Sequence, residues 1–177
     1  MTTEWQRLAD ADQIASRASA IILRAAQKAI AAHGQFRIVL AGGSTPTQVY
    51  RQLARAETDW SRWQVYFGDE RCLPADHAER NSLMATHAWL SHVDIPGNNI
   101  HIIPAELGAT TAAHKYAAII EPALPFDLVL LGMGEDGHTA SLFPGHQHPQ
   151  DEAVHAVFDA PKPPPERVSL SRASLSN

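Results

Sequence analysis

A histidine set in a run of glycines is the residue of this sequence best suited to moving a proton near neutral pH. His138 lies in Gly132-Met133-Gly134-Glu135-Asp136-Gly137-His138-Thr139-Ala140-Ser141-Leu142-Phe143-Pro144-Gly145. An imidazole exchanges protons as base or acid near neutrality, and Asp136 stands two residues away. A second segment, Gly42-Gly43-Ser44-Thr45-Pro46, sets two glycines before small hydroxyls. Thr45 suits a helix N-cap, Pro46 the first helical position, and Gln48 completes a capping box. The free N–H groups of such a helix start make an anion site, most naturally for phosphate. A third segment, Gly68-Asp69-Glu70-Arg71, crowds two carboxylates and a guanidinium. Arg71 either pairs a phosphate with two hydrogen bonds or neutralises Asp69 or Glu70. Arg80, just before Asn81, reads as a solvated surface group.

Other readings of the same residues stay open. Gly132, Gly134 and Gly137 match G-x-G-x-x-G, but a dinucleotide fingerprint belongs on the first strand of its unit, and this match is late in the chain. No Gly-Lys-Ser/Thr supports a nucleotide P-loop. Ser141 lacks the G-x-S-x-G elbow of a nucleophilic serine. His146, His148 and His155 read as a solvated loop without an accompanying thiolate. Trp60, Trp63 and Trp89 read as packing residues, and Cys72 as a buried bystander.

The elements that must position these loops follow from hydrophobic pattern. Ile14, Ala18, Ile21, Ala25 and Ala29 recur at helical spacing within a helix from Trp5 to His33, stopped by Gly34. Strands are expected at Arg37 to Ala41, Trp63 to Phe67, Asn99 to Ile103 and Phe126 to Leu131, with weaker ones at Ala153 to Phe158 and Arg167 to Ser171. Helices are expected at Pro46 to Ala56, Asn81 to Leu90 and Thr111 to Glu121. The strands are continuous apolar runs alternating with helices, as in a largely parallel sheet covered on both faces. The fold class is α/β, a Rossmann-like three-layer α/β/α sandwich with a mainly parallel sheet. Each of the three polar segments directly follows a strand, where such sheets bind ligands. Pro161 to Pro165 reads as a rigid connector. The last strand has nothing amphipathic after it, so it sits at a sheet edge or the domain is incomplete.

The chain has 177 residues, of which 45% are hydrophobic and 19% charged, which suits one globular domain. Its net charge of −5 disfavours broad nucleic-acid binding, yet a few arginines in a cleft override that total for a small anion. One cysteine permits no internal disulfide. No run reaches membrane-spanning length, and the N-terminus carries no leader pattern. A cytoplasmic, monomeric protein is the default expectation.

LAGGSTP, GDERCLPADHAERNS, LLGMGEDGHTASLFPG and, more weakly, PERVSLS together resemble the 6-phosphogluconolactonase family. That family lies within the larger group of glucosamine-6-phosphate deaminases and ribose-5-phosphate isomerases. The resemblance covers most of the chain. It implies hydrolysis of 6-phospho-D-glucono-1,5-lactone to 6-phospho-D-gluconate, with His138 as the base that activates water. It implies substrate contacts at Gly42, Gly43, Ser44, Thr45, Asp69, Arg71, Gly134, Asp136, Gly137 and Arg167. Amides of Gly134 to Gly137 are the expected oxyanion donors. No metal, organic cofactor, nucleic acid or membrane partner is implied. Residues 1–177 then resemble one family domain lacking about a strand-helix-strand unit at its C-terminus. The competing functions are an isomerase or deaminase of the same fold, in which Asp69 would lead, a non-catalytic sugar-phosphate binder, and a nicotinamide-binding domain.

Overall fold

The computed structural model describes residues 3–176. Helix α1 is Ala11–His33, capped by Asp10, whose side chain accepts from the Gln13 amide, and closed by Gly34 at φ +85°. It starts six residues later than the pattern predicts, because the Asp10 cap fixes its origin. Trp5 stands 91% exposed before it. The buried stripe is Ala15, Ser19, Ile22, Ala26 and Ala29, one residue round the helix from most of the expected one. Small residues face inward and let α1 lie close on α2, while the Ser19 hydroxyl is satisfied by the Ala15 carbonyl at 2.8 Å.

Strand β1 is Phe36–Leu40, β2 Trp63–Phe67, β4 Ile100–His101 and β5 Leu128–Val129. They form a parallel sheet in the order β4-β2-β1-β5. Helices α2 (Ser44–Leu53) and α3 (Asn81–Ala88) connect strands stepping one way across this sheet, and α4 (Ala109–Ile120) returns across it. Right-handed crossovers therefore put α2 and α3 on one face and α4 on the other. The sandwich is the expected one. Of the strand expected over Phe126 to Leu131 only the middle pairs regularly with β1, and Leu131 is exposed.

The second sheet is the principal difference from the sequence reading. Asp69–Arg71, expected as a loop, is strand β3. It pairs antiparallel with β7 (Arg167–Leu170), which pairs with β6 (Val154–Val157). The last strand is thus central in its sheet and wholly buried, not an edge. A short helix, α5 (Arg172–Ser176), follows and buries Ser174 and Leu175. Trp63 and Trp89 are buried and pack with Trp60 at ring separations of 4.7–5.7 Å, as expected for packing residues. Among the described residues no helix is long and apolar enough to cross a membrane.

Candidate active site

β2, β1 and β5 are neighbours, so the loops after their carboxyl ends converge. They enclose a cleft of about 210 Å³ lined by Gly42, Gly43, Asp69, Arg71, Asn81, Gly134, His138 and Arg167, among others. The glycine cradle, the arginines and the histidine, far apart in sequence, therefore share one space. Ser44, Thr45, Asp136 and Gly137 do not line it.

The glycine turn after β1 is tighter than the capping pattern implied. Gly43, at φ +110°, is itself the N-cap of α2, and Ser44 begins the helix. Thr45 is therefore inside the helix, not its cap, and no side chain caps it. The capping box does not form, and Gln48 Oε1 is buried without a partner. A positive φ is open to glycine at little cost, so the chain turns earlier than a threonine cap would allow. Gly42 has a different necessity. A Cβ there would lie 2.1 Å from Asn81 Oδ1. The Gly42 and Gly43 amides donate to no acceptor among the described residues, which leaves them available to an anion at the start of α2.

The wall after β2 rests on buried charge. Glu70 is fully buried, accepting from the amides of Arg71, Asn81 and Ser82 at 2.8–2.9 Å. It thereby caps α3, whose own N-cap, Arg80, supplies no side-chain bond. Arg80 is not solvated. It is 1% exposed, its Nε lies 3.1 Å from Glu70 Oε2, and it donates to the carbonyls of Leu73 and Ile103. With Glu70 thus occupied, Arg71 is left for the cleft, braced by a hydrogen bond to the Glu79 carbonyl.

Asp69 sits at the floor. Its carboxylate accepts from Ser141 Oγ at 2.7 Å and Asn81 Nδ2 at 3.2 Å. Burial pushes its carboxyl above the ordinary range, against the pull of the Ser141 bond. Ser141 thus ties the histidine loop to β3, and its amide reaches Ser169 Oγ on β7 at 3.3 Å.

Arg71 and Arg167 are directly paired across β3 and β7. Like charges so placed repel. Burial first, and then Arg71, lowers the pKa of the Arg167 guanidinium. The carbonyls of Lys162, Pro163 and Pro164 hold that guanidinium at 3.0–3.2 Å, so the proline-rich connector serves as its bracket. Two cations facing one cleft form a site for a doubly charged anion.

His138 is held by Asp136 and closely flanked by Gly134. Asp136 Oδ1 lies 2.5 Å from its Nδ1. An ionised carboxylate only accepts, so Nδ1 carries a proton, and in the neutral imidazole the lone pair falls on Nε2. The same bond holds the Asp136 carboxyl below its ordinary range. Asp136 therefore orients the His138 ring and does not face the cleft. Gly134 makes room for the ring: a Cβ there would lie 2.2 Å from His138 Nδ1 and Cε1. Gly134 N and Gly137 N donate within the turn, to His138 O and Gly134 O at 2.8 and 3.0 Å. Of the amides from Gly134 to Gly137 expected as oxyanion donors, these two are thus taken up within the turn.

Over residues 9–177 the sequence matches the family of glucosamine-6-phosphate isomerases/6-phosphogluconolactonase. The chain belongs to this family. A 6-phosphogluconolactonase from Nostoc sp. is 42% identical over 148 residues, 77% of this chain and 61% of that protein. One from Synechocystis sp. is 47% identical over 128 residues, 66% of this chain and 52% of that protein. The chain thus spans about half to three fifths of the length of these two relatives. A 6-phosphogluconolactonase structure from Thermotoga maritima superposes with a TM-score of 0.88 at 32% identity, over 95% of this chain and 77% of that one.

Asn81, Ser141 and Phe143 carry parts of this arrangement that the sequence did not assign. The three histidines downstream also differ from expectation. His155 is 2% exposed and bonded to His148 at 3.0 Å, so they are not a solvated loop. Burial pushes the His155 imidazole down to about 4. Among the described residues no group of three or more His, Cys, Asp or Glu is placed to hold a metal ion.

Proposed function

We propose that this chain hydrolyses 6-phospho-D-glucono-1,5-lactone to 6-phospho-D-gluconate, a step of the pentose phosphate pathway. The observation that carries the reading is that an oriented imidazole and a pair of arginines, neither in a salt bridge among the described residues, open into one cleft. The arginines and the amides of Gly42 and Gly43 receive the phosphate. His138 Nε2 takes a proton from water as its oxygen adds to the lactone carbonyl. Collapse of the tetrahedral intermediate breaks the bond to the ring oxygen, which takes the proton back from the imidazolium. The new carboxylic acid then ionises in solution. Binding the phosphate away from the reacting carbon fixes the ring over His138 and turns remote binding energy into orientation. Asp69, with Ser141 and Asn81 on its carboxylate, shapes the floor. The family and the named relatives support the same reaction.

The test is the purified chain assayed for lactone hydrolysis above the spontaneous rate, beside ammonia release from glucosamine 6-phosphate. Lactone hydrolysis abolished by His138→Ala is the expected result. Ammonia release without lactone hydrolysis would assign the chain to the other branch of its family.

A further inference from the structure

Phe143 belongs to the glycine-histidine segment, does not line the cleft, and is 2% exposed. Its ring nevertheless touches both groups that the proposed chemistry needs. The His138 ring centroid lies 4.6 Å from that of Phe143, at 41°. The Arg167 Cζ lies 5.4 Å from the same centroid. An aromatic face attracts a guanidinium within this distance, and tilted ring pairs prefer it. No other aromatic ring bridges the histidine loop and β7 in this way among the described residues.

The Phe143 ring is itself fixed. It packs with Val157 and Ala160 in a small cluster apart from the main core. Its carbonyl accepts from the His146 amide at 3.2 Å and from His148 Nε2 at 3.3 Å. A carbonyl only accepts, so His148 carries a proton on Nε2 and, as a neutral ring, presents Nδ1 as acceptor. His155 Nε2 therefore donates to it across 3.0 Å. The buried His155 on β6 thus anchors the main chain of Phe143 to the second sheet.

We infer that Phe143 is a positioning residue that sets the base and the phosphate-binding arginine at one fixed separation. The inference rests on the lactonase reading. A residue with this role links turnover and phosphate affinity although it touches no substrate. One that merely fills space affects neither, beyond its effect on stability.

The experiment uses Phe143→Leu, with Phe143→Met in its place if the leucine variant melts below the assay temperature. Lactone turnover and calorimetric binding of 6-phosphogluconate are both measured, so that affinity is read without catalysis. Phe143→Leu is expected to lower kcat about tenfold, the scale of a modest misplacement, and to weaken product binding several-fold. Phe143→Tyr, which keeps the ring, is expected to restore most of both. Placed in His138→Ala, the leucine substitution is expected to lower the residual rate no further while still weakening binding. Placed in Arg167→Lys, it is expected to weaken binding no further. Unchanged kcat and affinity in Phe143→Leu, or the same additional loss in both backgrounds, overturns the inference. A wild-type chain with neither hydrolysis nor product binding removes the lactonase reading itself. A wild-type chain with both, unmoved by the leucine variant, removes this inference alone.

Discussion

Behind Arg71 the chain buries a whole ion pair, Glu70 with Arg80, both at 1% exposure or less. Against the His138 ring itself no buried ion pair stands among the described residues. The imidazole is held by a partly exposed carboxylate, a glycine and the ring of Phe143. One wall of the cleft is locked into the core, and the other is a loop fastened at a few points. Disturbing the first should therefore cost chiefly stability, and disturbing the second chiefly turnover.

The largest stability effect belongs to Arg80→Leu. It leaves the Glu70 carboxyl buried without its partner cation, and breaking such a pair costs about 3–5 kcal/mol. Denaturant unfolding measures it. A loss below about 1 kcal/mol would mean that the two walls are not so different. On the other wall, Asp136→Asn keeps the shape but removes the charge that fixes the His138 tautomer. Turnover should fall by about 10²–10⁴-fold, the upper end being the scale for replacing the aspartate that fixes a catalytic histidine's tautomer, with little change in the unfolding midpoint. Equal turnover would show that the loop holds the ring unaided. Gly134→Ala should lower kcat about tenfold by forcing the ring aside, and wild-type kinetics would contradict the contact.

A separate effect is the pH response of the buried His155, which leaves the cleft untouched. Its pKa is about 4 in the fold, chiefly from burial, against an ordinary 6.5. Between those values the unfolded chain binds a proton that the fold does not. Stability from this group is therefore complete above about pH 6.5 and declines as the pH falls toward 4. The slope for one proton is at most about 1.4 kcal/mol per pH unit. His155→Leu should flatten the acid side of the stability profile by that amount, and an unaltered profile would reject the burial effect.

The parts legible in the sequence were those written in local patterns. β2 reads directly from Trp63 to Phe67, and Gly34 ends α1 as a left-handed stop. The three polar segments could be placed at strand ends because each follows an apolar run. What escaped depended on distant partners. Glu70 and Arg80 are ten residues apart with nothing in their spacing to mark a pair, and Arg80 was read as solvated. Asp69–Arg71 becomes a strand only because β7, about a hundred residues on, supplies its hydrogen bonds. Thr45 has a good capping side chain, but Gly43 can adopt a conformation that begins the helix first. Ser141 gives no sign in the sequence that it faces Asp69.

The shared cleft is tested most directly by separating its two tasks in one pair of measurements on His138→Ala: lactone turnover, and affinity for 6-phosphogluconate. Turnover should fall at least about 10²-fold, as for loss of a general base, while product affinity stays within about twofold, because the arginines and the glycine cradle remain. Wild-type turnover in that variant would contradict the assignment of the base and the account built on it.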